Sequence, residues 1–467
     1  MLKPYAKYKE TPALWLNSIP DHWESHKIRE LFVERSEKVS DKDYSPLSVS
    51  KAGVVPQIAT VAKTNNGDNR KLVRKGDFVI NSRSDRRGSS GISNYDGSVS
   101  LINIVLKPRS FVNGRYMHYL LKSHYFIEEF YRNGRGIVAD LWTTRYTEMK
   151  SIYLPVPSIE EQDQIVRFLD WKLAKINKLI RAKKKQIALL NEHKQVIINN
   201  AITKGLDSKV SMKNSGIEWI GETPTTWKIK RLKNVATTFG RIGFRGYSTV
   251  DLVDNEEDGA ITTSPSNIKE DSMSFEKCSY LTWEKYEESP EIQLRENDIL
   301  IVKTGSSYGK TGFIDSLPKK ATINPQLLIV RNRSNELHSK FLYFVIKSRY
   351  FQDQIKCEII GSTIPTISET KILSFFLAIP PKDVQEKLLV YMESVIDKHR
   401  LAIKKIEDEI SLLQEYRIRL ISDVVTGKID VSDIEIPEYE TDSDDFTDDE
   451  IDDNLVLDEE DGEMEVE

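Results

Sequence analysis

Two short stretches of this 467-residue chain carry the residue types that meet a polyanion. One reads Ser82-Arg83-Ser84-Asp85-Arg86-Arg87-Gly88-Ser89-Ser90-Gly91, the other Lys303-Thr304-Gly305-Ser306-Ser307-Tyr308-Gly309-Lys310-Thr311-Gly312. Each follows a β-rich run, Asp77-Phe78-Val79-Ile80 and Asp298-Ile299-Leu300-Ile301-Val302. Gly88 and Gly91 match Gly309 and Gly312, so one backbone turn is expected to present two different sets of side chains. Arg bonds the guanine edge in two places at once, while Lys and hydroxyls serve bases and phosphates alike. The candidate DNA-binding residues are therefore Ser82, Arg83, Arg86, Arg87 and Ser89 in the first loop. In the second they are Lys303, Thr304, Ser306, Ser307, Tyr308 and Lys310. An ordinary solvated loop has the same composition, and the residues alone leave both readings open.

Other chemistries fit less well. Between Gly305 and Gly309 stand three residues where a nucleotide-binding loop needs four, and the matching Gly88-Ser89-Ser90-Gly91 lacks Lys-Thr, so ATP binding is rejected. The seven histidines have no metal-ligand spacing, and no dinucleotide fingerprint occurs. Glu148-Met149-Lys150 and Glu369-Thr370-Lys371 have the Glu-x-Lys shape of metal-dependent nucleases. Neither has a Pro-Asp pair at a sensible distance, and surface ion pairs are the expectation for both. No catalytic residue, metal site or cofactor is expected in this chain.

The elements that would hold the loops occur twice. Trp15-Leu16-Asn17-Ser18-Ile19-Pro20-Asp21-His22-Trp23 returns as Trp219-Ile220-Gly221-Glu222-Thr223-Pro224-Thr225-Thr226-Trp227 at an offset of 204, and the paired tryptophans read as core anchors. Lys75-Gly76-Asp77 returns as Glu296-Asn297-Asp298 at 221, and the stretch from Val156 to Asp207 returns at 223. A helix-like run over 116–131 matches 341–356; Gly-bearing turns follow at Asn133-Gly134-Arg135-Gly136 and Gly361-Ser362-Thr363. A drifting offset means loop insertions in two globular parts whose tails stay in register.

The tails read as long helices. Apolar residues recur in alternating steps of three and four at Val166, Leu169, Leu173, Ile176, Ile180, Ile187, Leu190, Ile197 and Ala201, with Lys183 and Lys194 in the remaining places. The second copy gives Leu389, Met392, Ile396, Ile403, Ile406, Ile410, Leu413, Leu420 and Val424, with His399 and Arg417 as its polar places. This is a heptad seam. Each helix would hold about 40 residues, roughly 60 Å, and end at Gly205 or Gly427. Packing of each helix on its own globular part is the alternative to mutual pairing. The 13 residues between Gly205 and Trp219 reach at most about 45–50 Å. That is short of a full helix length, so the pair is expected to be antiparallel.

The expected fold is mixed α/β, with two globular domains joined by two antiparallel coiled-coil helices. The expected boundaries are 1–153, 154–205, 206–376 and 377–428, followed by an acidic tail at 429–467. That tail holds 20 of the 72 acidic residues and no Lys or Arg. The body therefore has 52 acidic against 67 basic residues, a net +15 concealed by the overall −5. The tail's default reading is a disordered solubilising segment; a sharper one is competition with DNA for the basic body, removed by deleting 435–467. Two cysteines exclude a disulfide scaffold, and the N-terminus has no apolar signal segment. With no membrane span either, a cytoplasmic location is expected.

The tryptophan-led openings, the Pro-Val-Pro-Ser-Ile-Glu-Glu-Gln at 155–162, and the helix ends Ala201-Ile202-Thr203-Lys204-Gly205 and Val425-Thr426-Gly427-Lys428-Ile429 carry a resemblance. The chain resembles the DNA-specificity subunit of type I restriction–modification systems, twice over between about Trp15 and Asp430. The second copy departs at Pro380-Pro381-Lys382-Asp383-Val384-Gln385, where Val precedes Gln; a change of local capping is expected. The resemblance implies two target recognition domains reading an asymmetric bipartite site on double-stranded DNA. It also implies helices that set the spacer and dock two methyltransferase subunits using S-adenosylmethionine, joined by ATP-driven restriction subunits, with no active site in this chain. A coiled-coil scaffold with two protein-binding domains is the rival reading, and a nuclease built on the Glu-x-Lys segments a third. A salt-dependent DNA affinity separates the first from the second.

Overall fold

The computed structural model describes residues 2–57, 67–136, 142–241, 246–255, 257–269, 272–357 and 366–439. The turn Gly361-Ser362-Thr363 and the acidic run from residue 440 onward lie outside the described residues. The chain divides into two compact units, one of Met1–Lys184 with Glu407–Glu467 and one of Lys185–Ile406.

Unit 1 is built around a four-stranded antiparallel sheet in the order Ser90–Ile92, Phe78–Asn81, Asn103–Pro108, Phe32–Glu34. The run Phe-Val-Ile-Asn is buried at every position, because the strand has a core on each face. Phe78 and Ile80 join the main core, while Val79 joins a smaller one with Leu47, Val54, Val73, Val99 and Val105. Strand alternation turns an unbroken apolar run into a two-sided divider. A second clasp pairs Glu24–Lys27 with Tyr153–Val156, so the two ends of the globular part meet where the first long helix begins.

Unit 2 repeats the plan from different residues. Its sheet order is Thr311–Phe313, Ile299–Val302, Leu327–Asn332, Ala236–Gly240, the same order as in unit 1. Ile299 and Ile301 face one core, Leu300 and Val302 another. Lys228–Arg231 pairs with Phe376–Ile379 as the matching clasp. The units diverge where the offset rises from 204 to 221. There unit 1 has a three-stranded antiparallel sheet and unit 2 a four-stranded one that includes a parallel pair, Gly259–Thr263 with Ala321–Ile323.

Three expectations need correction. The helical run over 116–131 is two helices, Gly114–Leu121 and His124–Arg132, and its counterpart is Ser339–Lys347 and Arg349–Cys357. Ser123 breaks the first by donating to Leu120 O and accepting from Phe126 N; Ser348 likewise donates to Val345 O. A serine hydroxyl that bonds backbone competes with the helix ladder, and apolar periodicity does not register it. Among the tryptophans, Trp23 and Trp227 are core, but Trp219 is 43% exposed. Trp15 is half-buried and donates from Nε1 to Tyr153 O.

The third correction concerns Glu161 and Val384. Glu161 is no cap. It accepts from Tyr5 Oη at 2.7 Å and Trp23 Nε1 at 3.0 Å, and its other oxygen lies 2.9 Å from His22 Nε2. The carboxylate thus holds the N-terminal segment of unit 1 against the long helix, while in unit 2 Val384 packs beside the apolar core.

The first long helix spans Ile159–Lys204 and the second Lys382–Val425. At 1.5 Å per residue each is about 65–70 Å long. Gly205 (φ +77°) and Gly427 (φ +76°) end them in the left-handed region. A Cβ on Gly427 would also lie 2.4 Å from Pro20 and 3.1 Å from Trp23. In unit 1 the helices run antiparallel: Gln164 donates to Val431 O and Ile434 O just past the second helix, and further along Lys183 pairs with Glu409. In unit 2 they are antiparallel as well, with His193 Nδ1 3.2 Å from His399 Nε2.

The seam is uneven in a way that reports what covers it. Leu169, Leu173, Ile176 and Ile180 are buried, as are Ile396 and Ile406; Ile187, Leu190, Ile403, Ile410 and Leu413 are only half-buried. The buried stretches also contribute Phe168 and Trp171, or Leu388 and Met392, to the globular cores. In unit 1 the buried stretch of the first helix thus belongs to the globular core, and in unit 2 that of the second helix does. Near the end of the first helix Ile198, rather than Ile197, takes the buried place.

Candidate nucleic-acid interface

Each candidate loop hangs from the doubly buried strand of its sheet, and each strand is pinned by an aspartate at its start. Asp77 and Asp298 are 2% and 1% exposed. Asp77 accepts from Arg74 N at 2.9 Å and from Arg35 Nε at 2.6 Å. Asp298 accepts from Arg295 N at 2.9 Å and from Arg331 Nε and Nη2, both at 2.7 Å. The arginine comes from different places in the two units, just past Phe32–Glu34 in one and within Leu327–Asn332 in the other, so the acid is the fixed part. Bonding to Asp77 also holds the Arg35 guanidinium above its usual pKa. The preceding residue has a positive φ in both copies, Gly76 at +92° and Asn297 at +68°.

The turn itself is shared, as its glycines predict: Gly88 and Gly309 both have φ +79°. What holds it differs. In unit 1 the buried Tyr131 donates to Asn81 O and Arg86 O from beneath, and burial pushes its phenol well up. In unit 2 Gln352 donates to Gly309 O at 3.0 Å and to Thr311 Oγ1.

Ser82 and Ser89 are buried in the foot of the first loop, where Ser82 O accepts from Thr144 N. Arg83 is half-buried and bonds Asp85; Arg87 is exposed, pairs with Glu128 at 2.8 Å and lies 5.4 Å from the Tyr131 ring. Arg86 is exposed, with no side-chain partner among the described residues. In the second loop Lys303 bonds Glu369 at 3.3 Å, and Thr304 bridges Thr366. Ser306 and Lys310 are exposed; Ser307 and Tyr308 are half-buried. Glu369 thus belongs to a loop contact rather than to a Glu-x-Lys centre. Glu148 accepts from Arg145 N at the start of a short helix. Among the described residues no group of three or more His, Cys, Asp or Glu is placed to hold a metal ion.

A second segment runs beside each loop. In unit 1, Thr143 bridges both Arg83 and Arg135, and Ser84 N donates to Trp142 O at 2.9 Å. In unit 2, Ile367 N donates to Lys303 O at 3.0 Å beside the Thr304–Thr366 bridge. Thr143 and Thr366 stand at the same offset of 223 as the long helices, which is the signal that would have found them.

The family description "Type I restriction modification DNA specificity domain" matches this chain twice, over residues 20–189 and 224–412. The chain belongs to that family. Among its relatives is the specificity subunit of the type I restriction enzyme MjaVIII of Methanocaldococcus jannaschii, 25% identical over 61% of this chain and 64% of that one. The putative MjaX specificity subunit of the same organism is 21% identical over 89% of this chain and 96% of that one. A solved structure from work on assembly and conformational transition of a type I restriction–modification system has a TM-score of 0.61 at 14% identity, over 88% of this chain and 99% of that chain. That likeness extends the fold across both units. Each matched segment takes in one of the repeated globular parts and the first part of the long helix that follows it. No helix among the described residues is long and apolar enough to cross a membrane.

Proposed function

We propose that this chain is the non-catalytic DNA-recognition subunit of a type I restriction–modification complex, reading an asymmetric bipartite site on double-stranded DNA. The globular part of each unit reads one half-site through its loop, at residues 82–91 and 303–312. The observation that carries this is one turn built twice, with Gly88 and Gly309 at the same φ, supporting Arg83, Arg86 and Arg87 in one copy and Ser306, Ser307 and Lys310 in the other. A shared backbone with exchanged side chains suits two readers of unlike half-sites.

The long helices set the unread spacer and dock the partner subunits, two methyltransferases and the restriction subunits. In support, they leave large apolar side chains in solvent: Leu412, Tyr416 and Ile418 in unit 1, Leu189, Val390 and Leu401 in unit 2. Leu189 and Leu412 are matching positions of the repeat, 55% and 64% exposed, as two docking sites for one kind of subunit require.

Exchanging 82–91 with 303–312 in the full chain, expressed with its methyltransferase and followed by methylome sequencing, tests the reading. The methylated motif is expected to change within its half-sites and keep its spacer length. An unaltered motif would remove the loops from the reading role.

A further inference from the structure

The recognition surface of unit 1 is wider than its loop. Residues 142–144 lie between the loop and Arg135: Thr143 exchanges backbone bonds with Arg135 at 3.1 and 3.0 Å, while Ser84 N and Thr144 N reach Trp142 O and Ser82 O, both at 2.9 Å. Thr144 is buried and anchors the segment by donating from Oγ1 to Phe130 O. This fixes the main chain of Trp142 beside the arginine loop.

Trp142 is 39% exposed, and its side chain makes no hydrogen bond or ring contact among the described residues. Two guanidinium-bearing residues bridge to the next residue, Thr143: Arg83, whose side chain is 43% exposed, and Arg135, whose side chain is 84% exposed with Glu148 3.8 Å away; the exposed Arg86 stands further along the same loop. A large, partly exposed ring on a backbone tied to the arginine loop, beside cations that attract phosphate, has the makeup of an apolar base contact. The second unit has Pro365 at the corresponding position of the sequence repeat.

We infer that Trp142 is a specificity-determining residue of unit 1, making apolar contact with base edges in the half-site that the loop 82–91 reads. This rests on the reading of that loop as a DNA reader. The arginines supply charge and hydrogen bonds, and Trp142 supplies discrimination at the positions its ring covers. Apolar contact of this kind senses the thymine methyl group, which no hydrogen bond reports.

The test uses the full chain co-expressed with its methyltransferase, in three versions: unchanged, Trp142→Ala and Arg86→Ala. Methylome sequencing is paired with competition binding of the purified complexes to the cognate site and to singly substituted sites. Trp142→Ala is expected to relax one or two adjacent positions in a single half-site, the half that Arg86→Ala also alters. Its affinity ratio of cognate to substituted DNA at those positions should fall about 10-fold to 100-fold. Hydrogen-exchange protection of Phe78–Asn81 should be retained, which separates loss of a contact from loss of the fold. If Trp142→Ala keeps the motif and the ratio while Arg86→Ala changes them, the inference about Trp142 is overturned and the loop reading stands. If neither variant changes them, both fall. If Trp142→Ala abolishes methylation, the binding ratio decides: a fall confined to one half-site supports the inference, and an unchanged ratio overturns it. Loss of protection transfers the same binding comparison to Trp142→Phe, where a fall in the ratio supports a shape-specific contact and full retention overturns one.

Discussion

Replacing Asp298 with Ala removes the pin of the buried strand in unit 2 and leaves its apolar faces intact. The carboxylate takes two 2.7 Å bonds from Arg331 and one from the Arg295 backbone. Without it, a guanidinium on a side chain 18% exposed keeps, among the described residues, Gln293 O at 3.1 Å and the Phe239 ring at 4.9 Å. Stranding one member of a buried ion pair costs about 3–5 kcal/mol. The remaining contacts and partial solvent access of Arg331 place this case near the lower end, at ~3 kcal/mol. Adding Arg331→Met removes the stranded charge, and the double variant is expected to recover about half of the loss. Hydrogen exchange read by mass spectrometry on peptides covering Ile299–Val302 measures this directly, with Phe78–Asn81 as the internal reference. A loss of ~3 kcal/mol appears as roughly 100-fold faster exchange in the unit 2 peptide. A loss under about 1 kcal/mol, or a double variant no better protected than Asp298→Ala, would refute the claim that the Asp–Arg clasp pins this strand.

Glu161→Val copies the residue of the second unit into the first, yet it leaves Tyr5 and Trp23 without their acceptor. Unit 1 is expected to lose about 2–5 kcal/mol in urea unfolding, and a loss below 1 would mean water replaces the carboxylate. Asn297 has the only positive φ among described non-glycine residues. Asn297→Gly should therefore stay within about 0.5 kcal/mol of the parent in urea unfolding, while Asn297→Val costs roughly 1–2; equal effects would remove the conformational argument. Deleting 440–467 should raise affinity for non-specific DNA at low salt, and unchanged binding would leave the tail no role in DNA competition. The cut belongs after Tyr439 rather than at Glu435, because Ile434, Ile436 and Tyr439 pack against the unit 1 core.

What could be read in advance was local and periodic. The seam spacing located both long helices because heptad steps persist over many turns, and the loop glycines marked a turn later found at φ +79° in both units. Contacts between distant segments were not legible. Arg35 and Arg331 serve matching aspartates from unrelated sequence positions, so no repeat comparison pairs them. Ser123 interrupts a helix whose apolar pattern continues across it. A segment as short as Thr143-Thr144 has no periodicity; the repeat offset marks Thr143, but only its backbone partners place it beside the loop. Glu161 looked like half of a helix-start motif, although its side chain is occupied by Tyr5, Trp23 and His22.

The division of the chain also dictates an order of biosynthesis. Unit 2 is one uninterrupted stretch, Lys185–Ile406, and all of it has been synthesised before the last part of unit 1 exists. Unit 1 must wait for Leu420, Val424, Val425 and Val431 to complete its core, and for Gly427 to cover Pro20 and Trp23. The half of the protein made first is therefore finished last, and the nascent chain holds an open apolar face on unit 1 throughout translation of unit 2. A ribosome that stops between Ile406 and Leu420 releases a chain with a deficient unit 1, however completely unit 2 has folded.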